Sequence, residues 1–300
     1  NLRLCQKLKK ITQTPIVTFY HTLPGHLSLE LKGLPKLKEK LTWKDHIKAL
    51  IRPYYYIYLQ ARAIYICRKG YSISDKYVLL AESYIRLFKH ENRIKNGERL
   101  TFINNSITFE HILPEESLQQ KKNIVLIVSR LEEGQKRISK AIQIWECIEK
   151  KGINNWELHI VGDGPHAAYY KHLASQKHLK HIQFKPATIN PEPLFLDAAI
   201  FMMTSAFEGW GLTLTEASQM GCVPIVYDTF AAVHDIITSG ENGIIIPANN
   251  QTGYVEALLK LMNEPTYRTE IAKGAIKNCR RFTIEKIADQ WEATLNQLTE

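Results

Sequence analysis

Two glutamates in one short segment have the chemistry and spacing to bind a ligand rich in hydroxyl groups. Glu208 and Glu216 are separated by seven residues within TSAFEGWGLTLTEASQMGCVPIV (204–226), which reads as a strand end, a glycine-bearing loop and a helix start. Ligands of doubly wound sheets bind beyond the carboxyl ends of the strands, and a carboxylate there accepts charge-assisted hydrogen bonds from neighbouring hydroxyls. We predict that Glu208 faces the reacting end of such a ligand and that Glu216 reaches another part of it.

The start of the helix in this segment is a predicted phosphate site. The first backbone N–H groups of a helix have no partner within it and lie at the positive end of its dipole, so they favour an anion. The residues that we assign to this role are Gly209, Trp210, Gly211 and Leu212.

Two basic residues follow an earlier buried strand, in VSRLEEGQKRI (128–138). Arg130 and Lys136 stand at the start of a strand–helix unit, where both can converge on a diphosphate. Two fixed cations can stabilise the negative charge of a bound diphosphate without a metal. Arg137 is the alternative to Lys136 as the second cation, and unspecialised surface cations are the alternative to the whole assignment.

A tight turn, Gly162-Asp163-Gly164, follows the next strand in HIVGDGP (159–165). The turn can bring backbone close to a bound nucleotide, although Gly-Asp-Gly-Pro is also a common structural turn. No Asp-x-Asp pair stands at a strand end to hold a divalent ion, so we predict that neither a metal nor a cofactor is required.

The segment 204–226, with EGWG, GCVPIV and the two spaced glutamates, resembles the retaining glycosyltransferases of family 4, whose two-domain fold is called GT-B. The resemblance implies that Glu208 contacts the donor sugar near the reacting carbon and that Glu216 binds the ribose of the nucleotide. It also implies diphosphate binding by Arg130 and Lys136, whose spacing here is one residue longer than the commonest family spacing.

The same resemblance implies two further sites. A nucleobase pocket is expected after the strand in IQFKPATINPEP (182–193), and we assign it to Phe184 and Lys185, with Pro186 where the family usually has a glycine. FYHTLPG (19–25) resembles the family's strand that ends in a histidine lining the cleft, so His21 is assigned to the catalytic site. His26 is the second choice, and a purely structural histidine is the alternative.

The pattern of apolar runs gives the elements that must position these side chains. From residue 121, short β-branched runs alternate with helix-length amphipathic stretches, which predicts a doubly wound parallel sheet. In residues 1–120 we find only two or three strand candidates and no opening glycine-rich turn, so we expect a Rossmann-like domain that is incomplete at its start. The predicted fold is α/β and GT-B, with an acceptor-side domain at 1–117, a donor domain at 118–282 and a C-terminal helix at 283–300 that returns towards the first domain.

Composition and charge limit the surroundings of the protein. The chain has 300 residues, five widely spaced cysteines and no apolar stretch long enough to span a bilayer, which favours the cytoplasm. Its net charge of +9 comes from residues 1–120, which hold 20 basic and 10 acidic residues. This excess suits an anionic membrane surface or an anionic acceptor, with a merely solvated face as the alternative, and no nucleic-acid module accompanies it.

A tyrosine-rich stretch, RPYYYIYLQARAIYICRKGY (52–71), mixes aromatic and basic side chains. Interfacial tyrosines flanked by arginine and lysine suit a peripheral membrane contact. A helix that packs its tyrosines on its own domain is the alternative.

These observations together predict a metal-independent, retaining glycosyltransferase that uses a nucleotide-diphosphate sugar, UDP-linked by expectation, and a polysaccharide or lipid-linked acceptor. The alternatives are an epimerase or phosphorylase with the same fold, and a non-catalytic module that binds nucleotide sugars.

Overall fold

The computed structural model describes residues 2–12, 14–24 and 43–298. The chain folds into two compact units. The first comprises Asn1–Asn104 and Ile287–Glu300, and the second comprises Asn105–Lys286. Each unit is built around a parallel sheet.

The first unit carries three described strands in the order β1-β2-β3. All three are parallel, and the central strand places Tyr77 opposite Thr18 of β1 and Leu100 of β3. Its elements in chain order are α1 (Leu2–Thr12), β1 (Val17–Tyr20), α2 (Trp43–Ile73), β2 (Lys76–Leu79), α3 (Glu82–Glu91) and β3 (Leu100–Phe102).

A small apolar cluster holds the C-terminal segment in the first unit. Val78 and Ile103 are buried together with Ile287 of the last helix, Ile284–Asn296. The Trp291 ring meets the Phe19 ring edge to face at 5.1 Å. The last helix therefore contributes to the core of a sheet whose described strands all lie between residues 17 and 102, a separation that periodicity in the sequence does not reveal.

The second unit contains a six-stranded parallel sheet in the order β6-β5-β4-β7-β8-β9. It confirms the predicted doubly wound α/β fold. Its elements are β4 (Lys122–Val128), α4 (Ile138–Lys150), β5 (Glu157–Val161), α5 (Ala167–Gln176), β6 (Ile182–Lys185), α6 (Glu192–Asp197), β7 (Ala198–Met203), α7 (Leu212–Gln219), β8 (Val223–Asp228), α8 (Val233–Ile236), β9 (Ile244–Pro247), α9 (Gln251–Asn263) and α10 (Pro265–Cys279). The last helix, α11 (Ile284–Asn296), follows a short 3-10 turn and belongs to the first unit from Ile287 onward.

The central strands are apolar on both faces because helices cover the sheet on both sides. Every residue of β7 is buried, and Trp145, Tyr170 and Tyr254 are among the largest fully buried side chains that pack around the sheet. The Tyr254 hydroxyl donates a hydrogen bond of 2.7 Å to the carbonyl of Ile225, so even this polar group is satisfied in the core.

Residues 105–117 lie with the second unit, whereas the sequence placed them before a boundary at 117/118. The side chain of Gln219, at the end of α7, is fully buried and explains the attachment. Its amide donates to the carbonyls of Phe109 and His111 at 2.7 Å each and accepts from the Phe109 N–H. Apolar contacts of Leu113 and Leu118 with the core of the unit add to these bonds.

Candidate functional site

Two loops meet at the carboxyl edge of the second sheet. Strands β4 and β7 are neighbours and parallel, so the loop at 129–137 after β4 and the loop at 204–211 after β7 leave the sheet side by side. The Ala206 N–H donates to the Gln135 carbonyl at 2.6 Å, and the Thr204 hydroxyl bonds the carbonyls of Lys136 and Arg137. These bonds bring the predicted cations and the first predicted carboxylate into one cluster.

Lys136 and Glu208 form an ion pair across the two loops. The Lys136 Nζ atom lies 2.6 Å from the Glu208 Oε1 atom, and the side chains are only 18% and 8% exposed. Removing one partner of such a shielded pair leaves an uncompensated buried charge, which is costly. A ligand that approaches this edge therefore meets a cation and a carboxylate that already hold each other.

Arg130 and Arg137 have different surroundings although both belong to the same loop. The Arg130 side chain is exposed, and its Nη2 atom donates to the Gln135 Oε1 atom at 3.2 Å. Arg137 instead donates to the carbonyls of Thr204 and Ser205 at 3.1 and 3.0 Å. Its backbone is left-handed at φ 48°, and burial lowers the pKa of its guanidinium.

Lys136 and Arg137, the two candidates for the second cation, have different partners in the structure. The Arg137 guanidinium is committed to backbone carbonyls at the end of β7, while Lys136 faces the Glu208 carboxylate. Of the two side chains, Lys136 is the one that contacts the Glu208 carboxylate.

The start of α7 has the features of an anion site. Gly211 precedes the helix with φ 88°, a left-handed conformation that glycine adopts at little cost, and no side chain among the described residues caps the helix there. Trp210 is 2% exposed and meets the Phe282 ring edge to face at 5.4 Å, whereas Leu212 is exposed. The buried Trp210 ring thus anchors the backbone beside the first turn of α7, in which the Leu214 N–H donates to the Gly211 carbonyl at 2.8 Å.

Glu216 lies inside α7 and is 8% exposed. Burial raises the pKa of its carboxyl, and a hydrogen bond from the Thr108 hydroxyl partly opposes that shift. Thr108 comes from the segment before β4, and nothing in the sequence around it indicated this contact.

The glycines of the Gly162-Asp163-Gly164 turn are required by close approach to the loop after β4. A Cβ atom on Gly162 would lie 1.9 Å from the Ser129 carbonyl oxygen, and one on Gly164 would lie 2.5 Å from the Leu131 carbonyl oxygen. The Leu131 N–H donates to the Asp163 carbonyl at 2.8 Å. In the structure, therefore, the turn that the sequence assigned to a nucleotide supports the loop that carries Arg130.

Phe184 and Lys185 do not share one face of the sheet. They are successive residues of the edge strand β6, paired with Ile160 and Val161, so their side chains project in opposite directions. Phe184 packs against the core of the second unit. The structure thus does not bring these two predicted nucleobase contacts into a single pocket.

His21 follows β1 in the first unit. Its side chain is exposed, and its ring lies 3.8 Å from the Phe19 ring between centroids. His26, the second choice, lies outside the described residues.

Three polar residues near the cluster were not singled out from the sequence: Thr108, Glu133 and Gln135. Glu133 accepts hydrogen bonds from the hydroxyls of Ser139 and Tyr170 and so ties the loop at 129–137 to α4 and α5. The available signal was two polar residues, Glu133 and Gln135, on either side of a loop glycine. This pattern does not identify their partners.

Neither a metal cluster nor a membrane-spanning helix occurs in the part of the chain that the structure describes. No group of three or more His, Cys, Asp and Glu side chains that could hold a metal ion is found there. None of the described helices combines the length and hydrophobicity that crossing a bilayer requires.

The side chains of four tyrosines in helix α2 project into solvent. Those of Tyr54, Tyr55, Tyr58 and Tyr65 are between 55% and 75% exposed. The Lys69 ammonium lies 5.7 Å from the centroid of the Tyr65 ring, within reach of a cation–π contact. These four tyrosines are thus not packed into the core of the first unit.

Comparison with known proteins agrees with this geometry. The family model described as "Glycosyl transferases group 1" matches residues 108–278, more than half of the chain. The poly(glycerol-phosphate) alpha-glucosyltransferase of Bacillus subtilis (strain 168) is 27% identical over 229 residues, which are 75% of this chain and 33% of that protein. The chain spans 33%, 63% and 35% of the lengths of three curated relatives.

Solved structures show the same fold. TarM of S. aureus is 25% identical, with a TM-score of 0.68 over 77% of this chain and 45% of that chain. HepE of Anabaena, in complex with UDP and glucose, is 16% identical, with a TM-score of 0.74 over 99% of this chain and 75% of that chain. These likenesses identify the architecture as GT-B.

Proposed function

The chain belongs to the glycosyl transferases group 1 family, and from this premise we propose that it is a retaining glycosyltransferase of family 4 that uses a UDP-sugar. The observation that carries the proposal is the cluster of Arg130, Lys136 and Glu208 at the carboxyl edge of β4 and β7. Two cations and one shielded carboxylate lie near the start of α7, which no side chain caps among the described residues, and this combination suits a diphosphate linked to a sugar.

The diphosphate is assigned to the two cations and the helix. Arg130 is exposed and has guanidinium donors to spare, and the first N–H groups of α7 point the positive end of a dipole towards the same edge. Lys136 shares its ammonium between Glu208 and the phosphates, since a lysine has three N–H donors. As the bond from sugar to phosphate breaks, these groups stabilise the negative charge of the departing UDP, and no metal is needed for that role.

The two glutamates are assigned to different parts of the donor. Glu208, at the loop after β7, accepts hydrogen bonds from the donor sugar, and Glu216, further along α7, accepts from the ribose hydroxyls. The shielding of both carboxylates supports these roles, because a hydrogen bond from a hydroxyl is stronger where water is excluded. His21 is assigned to the sugar or acceptor side on the resemblance of FYHTLPG alone.

UDP and a saccharide or lipid-linked acceptor are proposed from the relatives. The B. subtilis relative is named as a glucosyltransferase that acts on poly(glycerol-phosphate), and a TarM structure holds UDP together with alpha-GlcNAc-glycerol. An anionic acceptor of this kind is compatible with the excess of basic residues in the first 120 positions.

A peripheral contact with an anionic membrane is a second part of the proposal. The exposed tyrosines of α2 and the neighbouring Lys69 support it, since amphipathic rings and basic side chains suit the interface of a bilayer. Co-sedimentation with phosphatidylglycerol vesicles tests it. Binding that persists after Tyr54, Tyr55 and Tyr58 are all replaced by serine would contradict this contact.

The test of the donor assignment is calorimetry of UDP, GDP, ADP and their sugars, each with EDTA. We expect UDP to bind most tightly and chelation to leave its affinity unchanged. Tighter binding of GDP or ADP overturns the choice of base, and affinity that returns only with Mn²⁺ or Mg²⁺ overturns metal independence. A Lys136→Met variant should bind UDP more weakly in the same measurement. Lys151→Met, at an exposed lysine after α4, is its control.

The test of transfer is release of UDP from UDP-sugars in the presence of glycerol-phosphate polymers or lipid-linked saccharides. Retention predicts an α-linked product from an α-linked donor, which NMR coupling constants report. Binding without release in any acceptor mixture favours the non-catalytic module, and phosphate-dependent turnover favours a phosphorylase.

A further inference from the structure

The side chain of Gln135 lies between two residues of the proposed donor site. Its Oε1 atom accepts a hydrogen bond from the Arg130 Nη2 atom at 3.2 Å. Its Nε2 atom donates to the Glu208 Oε2 atom and to the Phe207 carbonyl, both at 3.3 Å. One amide therefore connects the guanidinium assigned to the diphosphate with the carboxylate assigned to the sugar.

This position requires a neutral amide. Arg130 offers only donors and an ionised Glu208 offers only acceptors, so the group between them must accept on one side and donate on the other. Among side chains of this length, glutamine alone does both at once, because glutamate cannot donate to a carboxylate when ionised and methionine offers only a weak acceptor. The opposite orientation of the amide would turn its NH₂ group towards the guanidinium and its oxygen towards the carboxylate, so the neighbouring charges fix its orientation.

The backbone of Gln135 is held as firmly as its side chain. Its carbonyl accepts from the Ala206 N–H at 2.6 Å, and its own N–H donates to the Glu132 Oε2 atom at 2.8 Å. The other oxygen of Glu132 accepts from the Gly134 N–H at 2.7 Å. Residue 135 is thus the point at which the loops after β4 and β7 are joined by main-chain and side-chain bonds together.

Both oxygens of Glu208 are engaged by consecutive residues of one loop. Lys136 takes Oε1 and Gln135 takes Oε2. When the Lys136 ammonium donates some of its hydrogen bonds to a diphosphate, the Gln135 amide still donates to the Oε2 atom of Glu208. The carboxylate then keeps its direction while its charge partner is shared.

We propose that Gln135 is a positioning residue that holds Glu208 and Arg130 in the arrangement needed for turnover. The inference rests on the proposed function for the roles of those two side chains. Gln135 acts through its neighbours, so its loss should lower the rate of transfer more than the affinity for UDP, because misplacement of reacting groups by about 1 Å can cost on the order of 100-fold in rate.

The experiment compares Gln135→Met, which keeps the length but removes the hydrogen bonds, with Gln135→Glu, which keeps the acceptor for Arg130 but places a carboxylate against Glu208. Gln251→Met is the matched control, a half-buried glutamine at the start of α9 whose amide contacts Cys147 instead. UDP release from UDP-glucose and UDP-N-acetylglucosamine gives kcat and KM, calorimetry gives the UDP affinity, and thermal unfolding gives Tm.

We expect Gln135→Met to lower kcat by roughly 10- to 100-fold with KM for the donor within about threefold of the wild type, and Gln135→Glu to be the slower of the two. Gln251→Met should keep the wild-type kcat. Equal kcat for Gln135→Met and the wild type overturns the inference, as does a Gln135→Glu variant faster than Gln135→Met. A fall in Tm without a fall in kcat assigns Gln135 a merely structural role and also overturns it.

A crystal structure of Gln135→Met separates this inference from the proposed function, since it needs no turnover. Displacement of the Glu208 and Arg130 side chains from their wild-type positions supports positioning, and their retention contradicts it. If the wild type neither binds UDP nor releases it from any donor, the proposed function fails, while the crystallographic comparison still decides whether Gln135 holds these two side chains.

Discussion

The ammonium of Lys136 lies 2.6 Å from the carboxylate of Glu208, although 71 residues separate them in the chain. Two parallel strands that are neighbours in the sheet, β4 and β7, bring the loops that carry them together. Both side chains of the pair are largely shielded from water, so their charges interact more strongly than they would in water. Under the proposed function, we expect a bound donor to exchange part of this contact for contacts of its own.

Replacement of Lys136 by methionine should destabilise the protein and weaken UDP binding. The variant leaves the Glu208 carboxylate shielded without its cation, which we expect to cost about 1–3 kcal/mol in the free energy of unfolding. The double variant Lys136→Met with Glu208→Gln should recover most of this loss, because no charge is left unpaired. Chemical denaturation of both variants measures the difference, and equal stability of the single and double variants would show that the pair contributes little.

Arg130 and Arg137 should respond oppositely to truncation. Arg130→Ala removes an exposed guanidinium and should weaken UDP binding by about 1.5–3 kcal/mol, the scale of a hydrogen bond to a charged group, with little change in Tm. Arg137→Ala frees the carbonyls of Thr204 and Ser205 and should lower Tm more than affinity. Calorimetry and thermal unfolding on both variants decide the matter, and unchanged UDP affinity in Arg130→Ala would remove its diphosphate role.

The two glutamates should separate turnover from nucleotide binding. Glu208→Gln keeps the shape of a side chain assigned to the sugar, so it should lower kcat more than it weakens binding of free UDP. Glu216→Ala removes the group assigned to the ribose and should do the reverse. Steady-state UDP release and calorimetry of UDP provide both quantities. Equal losses of UDP affinity in the two variants would mean that these roles are wrongly divided.

The sequence was sufficient to predict the second unit's fold because its strands are buried on both faces. Apolar runs such as that of β7, Ala198–Met203, alternate with helix-length stretches, and this pattern indicates a parallel sheet without any knowledge of distant contacts. The ends of such strands also locate the loops, so the regions around Glu208 and Arg130 could be chosen as a site from the sequence.

Details of the site depend on contacts that no local pattern carries. Gln135 and Thr108 are held by partners that are distant in the sequence, Glu208 and Glu216. Glutamine and threonine are common in loops, so their residue types do not identify these partners.

Lys136 and Arg137 are successive cations in the sequence, and their different partners follow from the tertiary structure. Lys136 contacts Glu208, whereas Arg137, with a left-handed backbone, donates to carbonyls just after β7. Phe184 was assigned to a nucleobase from the family resemblance, and its packing against the core of the second unit is a contact that this motif does not carry.

Glu216 should make stability depend on pH. Burial raises the pKa of its carboxyl above the ordinary 4.5, so the folded state binds this proton more tightly than the unfolded state. The stability that this protonated carboxyl contributes is therefore fully present when the pH is below 4.5, and it is lost as the pH rises through the elevated folded-state pKa. Glu216→Gln should be more stable than the wild type near about pH 7 and no more stable near about pH 4.

Thermal unfolding across this pH range is the measurement, with Glu256→Gln at an exposed glutamate of α9 as the control. The difference in Tm between Glu256→Gln and the wild type should not change with pH. A constant difference in Tm between Glu216→Gln and the wild type at every pH would contradict the assignment to this carboxyl.

The turn after β5 should be intolerant of any side chain at Gly162. A Cβ atom there would lie 1.9 Å from the Ser129 carbonyl oxygen, which belongs to the backbone and cannot rotate away as a side chain can. Gly152 is a matched control, since it also has a positive φ, +81° against +148°, but a Cβ atom there would meet nothing within 4 Å. Both alanine variants incur backbone strain of about 1 kcal/mol, whereas only Gly162→Ala adds overpacking of about 1–3 kcal/mol.

Because Ser129 directly precedes Arg130, Gly162→Ala should also weaken UDP binding, while Gly152→Ala should not. Denaturation and calorimetry on the two variants test both statements, and a Gly162→Ala protein as stable as Gly152→Ala would show that the turn can move away from the loop at no cost.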